Sequence, residues 1–238
     1  MNLLLIEPAE RREPGLACVG GRKAKHLRTV LGKGAGDTLR VGELGGMVGQ
    51  GSIERVDDDG AWVRYTVTEP PPPPVPLRLV IALPRPPMLR RLLQAVTAMG
   101  VKHIAFIHAA RVEKSFWTSH SLRPDDIAEQ LRLGLEQARD TVLPTVEQWP
   151  RFRPFIEDEL SRFAGEGRRL VAEPMPGAAA PVASSEPTTV AIGPEGGWVP
   201  FELEMLAAAG FEAVTMGPRI LRVETAVIAL VARLSAAH

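Results

Sequence analysis

Two loops in the last third of the chain carry the residues best suited to chemistry. Ile192 runs into Gly193-Pro194-Glu195-Gly196-Gly197-Trp198, and about two dozen residues later Met216 runs into Gly217-Pro218-Arg219-Ile220-Leu221-Arg222. Glycine accepts positive φ and lets a neighbour approach the backbone, while proline stiffens the turn, so each loop lays bare main-chain donors and acceptors. One such loop reads equally well as a tight turn, because glycine and proline are the ordinary turn formers. Two of them, each after a short strand-like run, read better as two walls of one nucleotide-type pocket at the carboxyl edge of a sheet. Glu195, Arg219, Arg222 and Glu224 add charge to these walls. The plain alternative for Arg219, Arg222 and Glu224 is pairing at the start of a helix, where the dipole favours a carboxylate.

Bringing both loops to one edge requires strands that alternate with helices, and the chain beyond residue 76 has that texture. Residues 77–83 read as a buried strand; Met88, Leu89, Leu92, Leu93, Val96 and Met99 then fall at helical spacing before Gly100. Residues 104–107 form the next strand. Ile127, Leu131 and Leu135 mark a helical stripe from which Glu129, Arg132 and Glu136 turn away. Further strands are predicted at 170–172, 190–192 and 213–216, and helices near 155–163, 201–209 and 223–234. The class is α/β with a mainly parallel sheet. Before it, the proline run 70–74, reinforced by Pro76, favours extended polyproline geometry and marks a boundary between 1–70 and 71–238. Ahead of that boundary, alternating runs at 38–41, 47–48, 52–56 and 61–67, punctuated by glycine and aspartate, predict a small antiparallel barrel or sheet. The start, Met1-Asn2-Leu3-Leu4-Leu5-Ile6-Glu7-Pro8, has no basic leader and reads as a first strand.

Composition narrows the function classes. A chain of 238 residues holds one large domain or two smaller ones, and 45% hydrophobic with 24% charged residues is ordinary globular usage. No apolar run approaches the ~18 residues of a spanning helix. The one cysteine, Cys18, cannot form an intrachain disulfide, which fits a reducing compartment, so the cytoplasm is expected. Lysine plus arginine equals aspartate plus glutamate at 28 each, so any nucleic-acid site has to be a local patch. Arg22, Lys23, Lys25, His26, Arg28 and Lys33 make such a patch, whose plainer reading is a solvated face. His103 and His108 are five apart on a predicted strand and point to opposite faces, and no Cys or His spacing suggests zinc, so no metal is expected. Gly32-Lys33-Gly34-Ala35-Gly36 lacks the spacing of a phosphate-binding loop and reads as a turn between a short helix and a strand.

The stretches Ile192-Gly193-Pro194-Glu195-Gly196-Gly197 and Gly217-Pro218-Arg219-Ile220-Leu221-Arg222-Val223-Glu224-Thr225-Ala226 closely resemble the signature of the SPOUT superfamily, and within it the ribosomal RNA small subunit methyltransferase E family. The likeness extends to Leu27-Arg28-Thr29-Val30-Leu31-Gly32 and Glu136-Gln137-Ala138-Arg139. It implies a SPOUT-type α/β trefoil-knot methyltransferase domain behind a small N-terminal PUA-like β-barrel, one of the rare exceptions to unknotted connections. The implied reaction transfers a methyl group from S-adenosyl-L-methionine to N3 of a uridine in 16S ribosomal RNA, on the small ribosomal subunit. Homodimers form through the knot domain in that family, and both subunits shape the site.

Carried over by position, the resemblance implies that backbone around Ile192, Gly193, Gly197, Met216, Gly217, Ile220, Leu221 and Arg222 holds the cofactor, with Ala172 and Glu173 as a third side. Arg222 is the first candidate to steady the uridine anion, and Glu195 and Glu224 are candidate proton acceptors. Val223, Val227, Leu230 and Leu234 read as core or dimer interface. For RNA, the resemblance favours Arg22, Lys25, His26 and Arg28 in the small domain, and Arg85, Arg111 and Lys114 after strand ends in the large one. Trp117 reads equally as a base-stacking or a buried residue. Met88, Ala95 and Ala98 stand where many relatives carry Lys, Lys and Glu, which bears on the nucleotide chosen. Methylation of another nucleoside, or a non-catalytic RNA-binding role, are the alternatives.

Overall fold

The computed structural model describes residues 2–57, 59–175 and 177–235, so Met1 of the expected first strand lies outside the described residues. The chain divides into two compact units, residues 1–73 with 132–143 and residues 74–131 with 144–238.

The first unit holds β1 (Leu4–Ile6), β2 (Arg11–Glu13), β3 (Leu16–Val19), α1 (Gly21–Thr29), β4 (Thr38–Glu43), β5 (Val48–Asp57) and β6 (Gly60–Glu69). They form one six-stranded sheet in the order β1-β4-β5-β6-β3-β2, with β1 parallel to β4 and the other pairs antiparallel. Alternation decides which side chains go inward: Ala61, Val63 and Tyr65 of β6 are buried, while Arg64 and Thr66 face solvent. With Leu4, Ile6, Val19, Leu27, Val41 and Ile53 they make the core, each aliphatic side chain contributing about 1.5–3 kcal/mol by burial. The Tyr65 hydroxyl donates to Glu43 Oε1 at 2.8 Å, and burial followed by that bond pushes its pKa to about 12. The glycine-rich stretch 32–36 lies between α1 and β4, as a turn.

The second unit alternates as predicted. It runs through β7 (Leu77–Ala82), α2 (Pro86–Ala98), β8 (His103–Ile107), α3 (Pro124–Ala138), β9 (Thr145–Trp149) and α4 (Phe152–Pro154). A π-helical turn (Phe155–Glu159) leads into α5 (Leu160–Ala164), then β10 (Arg168–Ala172), β11 (Thr188–Ile192), α6 (Pro200–Ala208), β12 (Glu212–Val214) and α7 (Val223–Leu234). The sheet is fully parallel, in the order β12-β10-β11-β7-β8-β9. Both faces are covered, so β11 is buried along its whole length, with apolar Val190, Ala191 and Ile192 following the buried Thr188 and Thr189. Val223, Val227, Leu230 and Leu234 of α7 belong to this core, at 5%, 0%, 1% and 1% exposure.

One expectation about α3 is corrected. Glu129 faces solvent, but Glu136 is 2% exposed rather than turned out. The end of α3 counts with the first unit, where Leu135 packs on Leu3, Leu5 and Val48. There Glu136 takes a two-pronged hydrogen bond from the Arg22 guanidinium, at 2.7 and 3.0 Å, and Arg132 pairs with Glu7 at 3.1 Å.

Candidate functional site

Strand register assembles the site. Ala172, the last residue of β10, stands opposite both Ile192 of β11 and Val214 of β12, so three strands end side by side. Each then gives way to a loop, beginning at Glu173, Gly193 and Thr215. The first and last are stitched together by the Glu173 N–H donating to the Val214 carbonyl at 3.0 Å. Between the loops lies a cavity of about 260 Å³, closed on one side by Val223, Ala226 and Leu230 of α7 and bordered by Arg111 from the loop after β8.

The glycines are there for space and for torsion. A Cβ on Gly193 would lie 3.0 Å from the Trp198 indole nitrogen, tighter than side chains ordinarily pack, so glycine gives this ring room beneath the loop. Trp198 is 4% exposed, and its ring centroid lies 6.0 Å from that of Phe152. Gly217 has φ of 103°, a backbone conformation other residues avoid. The Gly197 N–H donates to the Pro194 carbonyl at 2.8 Å, closing the first loop into a turn.

Of the residues expected at a cofactor, Ala172, Glu173, Ile192, Gly193, Gly197, Met216, Gly217, Ile220 and Leu221 all line this cavity. Arg222 does not. It stands at the entrance to α7, where its carbonyl accepts the Ala226 N–H at 2.8 Å, and its exposed side chain makes no hydrogen bond or ion pair among the described residues. Glu195 lines the cavity and lies 3.9 Å from Arg85. Glu224, in the first turn of α7, is half-buried and outside the lining. Burial pushes the Glu173 carboxyl up from its ordinary range, and the Arg111 guanidinium pulls it partly back.

The expected RNA side divides. Arg85, Arg111 and Lys114 follow the strand ends and are exposed, but Arg111 also lines the cavity and donates to the Gly196 carbonyl. Trp117 is half-buried and donates to His108 Nδ1 at 3.0 Å. Met88, Ala95 and Ala98 are half-buried along α2. On α1, Lys25 and Arg28 face solvent and His26 is half-buried, while Arg22 is engaged by Glu136. Lys23 is an internal tie rather than a surface charge: at 6% exposure it donates to the Leu5 carbonyl and to Glu10 at 2.7 Å each. Lys33 is likewise occupied, donating to the Thr38 carbonyl at 2.7 Å.

Glu202 was not singled out from the sequence. It is 3% exposed, and its oxygens accept from the Ala110 N–H at 2.7 Å and the Val199 N–H at 3.0 Å. A local signal exists, since Pro200 opens α6 and a glutamate two residues on can reach back to the N-cap amide. Val199 in place of Ser or Thr at the cap obscures it. Among the described residues, no group of three His, Cys, Asp or Glu side chains could hold a metal, and no helix is long and apolar enough to cross a membrane.

Comparison with known proteins fits this geometry. Residues 71–235 match the model of the RNA methyltransferase domain family. The chain is 30% identical to the ribosomal RNA small subunit methyltransferase E of Treponema pallidum, over 96% of this chain and 88% of that one. It is 29% identical to the protein of the same name from Synechocystis, over 89% and 70%. The fold is shared with the crystal structure of a ribosomal RNA small subunit methyltransferase E from Neisseria gonorrhoeae bound to S-adenosylmethionine, with a TM-score of 0.75, 20% identity, and 98% and 95% of the two chains covered. The three-loop cavity at the carboxyl edge of a parallel sheet, and a relative at this identity along nearly the whole chain, place it: the protein belongs to the ribosomal RNA small subunit methyltransferase E family.

Proposed function

We propose that the cavity grips the adenosyl part of S-adenosylmethionine and that the protein methylates N3 of a uridine in 16S ribosomal RNA. The observation that carries this is the convergence of the loops after β10, β11 and β12, with glycines at 193 and 196 where a Cβ would crowd Trp198 and Arg111. Main chain suits an adenine edge because it offers fixed donors and acceptors. A relative of the same fold bound to S-adenosylmethionine supports it.

When bound, S-adenosylmethionine supplies a methyl group on a sulfonium whose leaving thioether is neutral. Little acid chemistry is needed at that end, so the loops' task is alignment. The uridine needs more, because N3 carries a proton and is a poor nucleophile until that proton is drawn away. Arg222, exposed beside the cavity and without a side-chain partner among the described residues, steadies the negative charge that builds on the uracil oxygens. Glu195, on the cavity wall, and Glu224, in the first turn of α7, are the proton acceptors of this reading. Arg85 and Lys114 in the second unit, and Lys25, His26 and Arg28 in the first, are the RNA contacts of this reading.

The same reading includes a trefoil knot. Ala179, in the loop between β10 and β11, bridges to Val214 of β12, whose other neighbour is β10, and its carbonyl accepts the Thr215 N–H at 3.0 Å. From there the chain turns back so that α7 packs on α2 and β11, and the Arg233 guanidinium donates to the Pro181 carbonyl at 2.7 Å. A loop that passes outside β12 while the chain end returns inside it is what threading requires. The first unit, with β1 parallel to β4 beside an antiparallel meander, is taken as the PUA-like barrel. Ile220 at 87% and Ile228 at 41% exposure support a second copy joined near α7, and an RNA substrate with a lone cysteine fits the cytoplasm.

Mass-spectrometric mapping of ribosomal RNA from cells with and without the gene tests this. One 3-methyluridine in 16S RNA is expected to vanish with the gene; an unchanged 16S map would overturn the reading.

A further inference from the structure

Walls of main chain account for an adenosyl group but not for the amino-acid end of a methyl donor. Four charged residues line the cavity, Arg111 after β8, Glu173 after β10, Glu195 after β11 and Arg219 after β12, and of these Arg111 and Glu173 are the pair whose charges act on each other. Arg111 is held. Its stem crosses Gly196 so closely that a Cβ there would lie 2.8 Å from Arg111 Cδ, and one guanidinium nitrogen donates to the Gly196 carbonyl. Its backbone is held as well. The neighbouring Ala110 N–H donates to buried Glu202 at 2.7 Å, while the other Glu202 oxygen accepts the Val199 N–H at 3.0 Å. A single buried carboxylate therefore ties the loop that bears Arg111 to the loop that bears Gly196.

A guanidinium has five N–H donors, and the carbonyl of Gly196 occupies one, leaving a planar edge for an anion. Glu173 is complementary. It is half-buried and its carboxylate has no hydrogen bond or ion pair among the described residues, which leaves it available to a cation. Burial raises its pKa and Arg111 partly offsets the rise, so the two charges share one field.

We propose that Arg111 and Glu173 clamp the zwitterionic amino-acid end of the donor, Arg111 taking the α-carboxylate and Glu173 the α-ammonium, with Glu202 as the positioning residue behind Arg111. This rests on the reading of the cavity as a S-adenosylmethionine site. An RNA phosphate is the competing destination for Arg111, but its side chain is folded onto the cavity wall at Gly196, which favours the donor.

Calorimetry with S-adenosylmethionine and its decarboxylated form, which lacks only the carboxylate, separates the two levels of the argument. The wild-type protein is expected to bind the full donor on the order of tenfold more tightly, as for a charge-assisted hydrogen bond. Arg111→Ala should erase that preference by weakening the full donor alone, and Arg111→Lys should restore part of it. Glu202→Gln, checked for folding by its melting curve, should narrow the preference without abolishing binding. If the wild-type protein binds neither compound, the cavity reading itself fails. If it binds both equally, or if Arg111→Ala keeps the preference, the clamp is wrong. Loss of RNA affinity in Arg111→Ala with the preference intact would assign the residue to phosphate and overturn the proposal.

Discussion

Arg222 and Glu173 stand at the same sheet edge with opposite relations to the cavity, one outside its lining and one within it. The first separates binding from chemistry. Arg222→Ala should leave S-adenosylmethionine affinity within a few-fold while slowing methyl transfer by roughly a hundredfold or more, the usual cost of removing an oxyanion donor. Calorimetry beside single-turnover assays checks this; equal loss of both would mean a structural role. Glu173 gives a pH signature. Its raised pKa means that the free folded protein holds a proton that the unfolded chain has released just above the ordinary carboxylate range. That contribution to stability is lost as pH rises through the raised value. A cationic donor favours the carboxylate, so its affinity should climb over the same window and level off toward neutral pH. Glu173→Gln should flatten the climb, as read from affinity against pH. The two loops were legible in the sequence because sharp turns after strands demand particular types, glycine and proline. The inward turn of Arg111 and the clamp by Glu202 were not, because that hydrogen bond spans 92 residues and rests on register alone.

At the scale of elements, the central parallel strands were read from their apolar stretches, whereas the short apolar β3 and the polar edge strands were missed. β7, β8 and β11 carry the burial that defines a central parallel strand. β9, Thr145-Val146-Glu147-Gln148-Trp149, is an edge strand with no fully buried residue, so it left no such signal. Exposed β2 is the same case in the first unit. The helix predicted near 155–163 contains a π-helical turn at Phe155–Glu159, where apolar spacing departs from the α period. Two loops meet at the start of α6, and this predicts a measurable dependence. Glu202→Ala leaves two part-buried amides without their acceptor, and should lower unfolding free energy by roughly 1–3 kcal/mol in a urea titration. Gly193→Ala should cost about 1–3 kcal/mol through crowding of the Trp198 ring, and weaken donor binding.

For the whole molecule, zero net charge had excluded a global attraction to RNA and left only patches. The structure thins the N-terminal patch, since Lys23 and Lys33 are spent on internal carbonyls and Arg22 on Glu136. Lys25 and Arg28 remain exposed. If each meets one phosphate, replacing both by alanine should reduce the slope of log K against log salt by about 1.4, at ~0.7 per contact for single strands. Filter binding over a salt series measures it. The first unit ends at Pro73, inside the proline run, and also takes residues 132–143, which the sequence did not announce because helical periodicity runs on through α3 without a break. The central claim concerns a transferred methyl group, and following that group is the most direct measurement. Purified protein, small ribosomal subunits from cells lacking the gene, and S-adenosylmethionine with an isotopically labelled methyl should yield labelled 3-methyluridine after nuclease digestion and mass spectrometry. Label in a different nucleoside, or in none, would contradict the account.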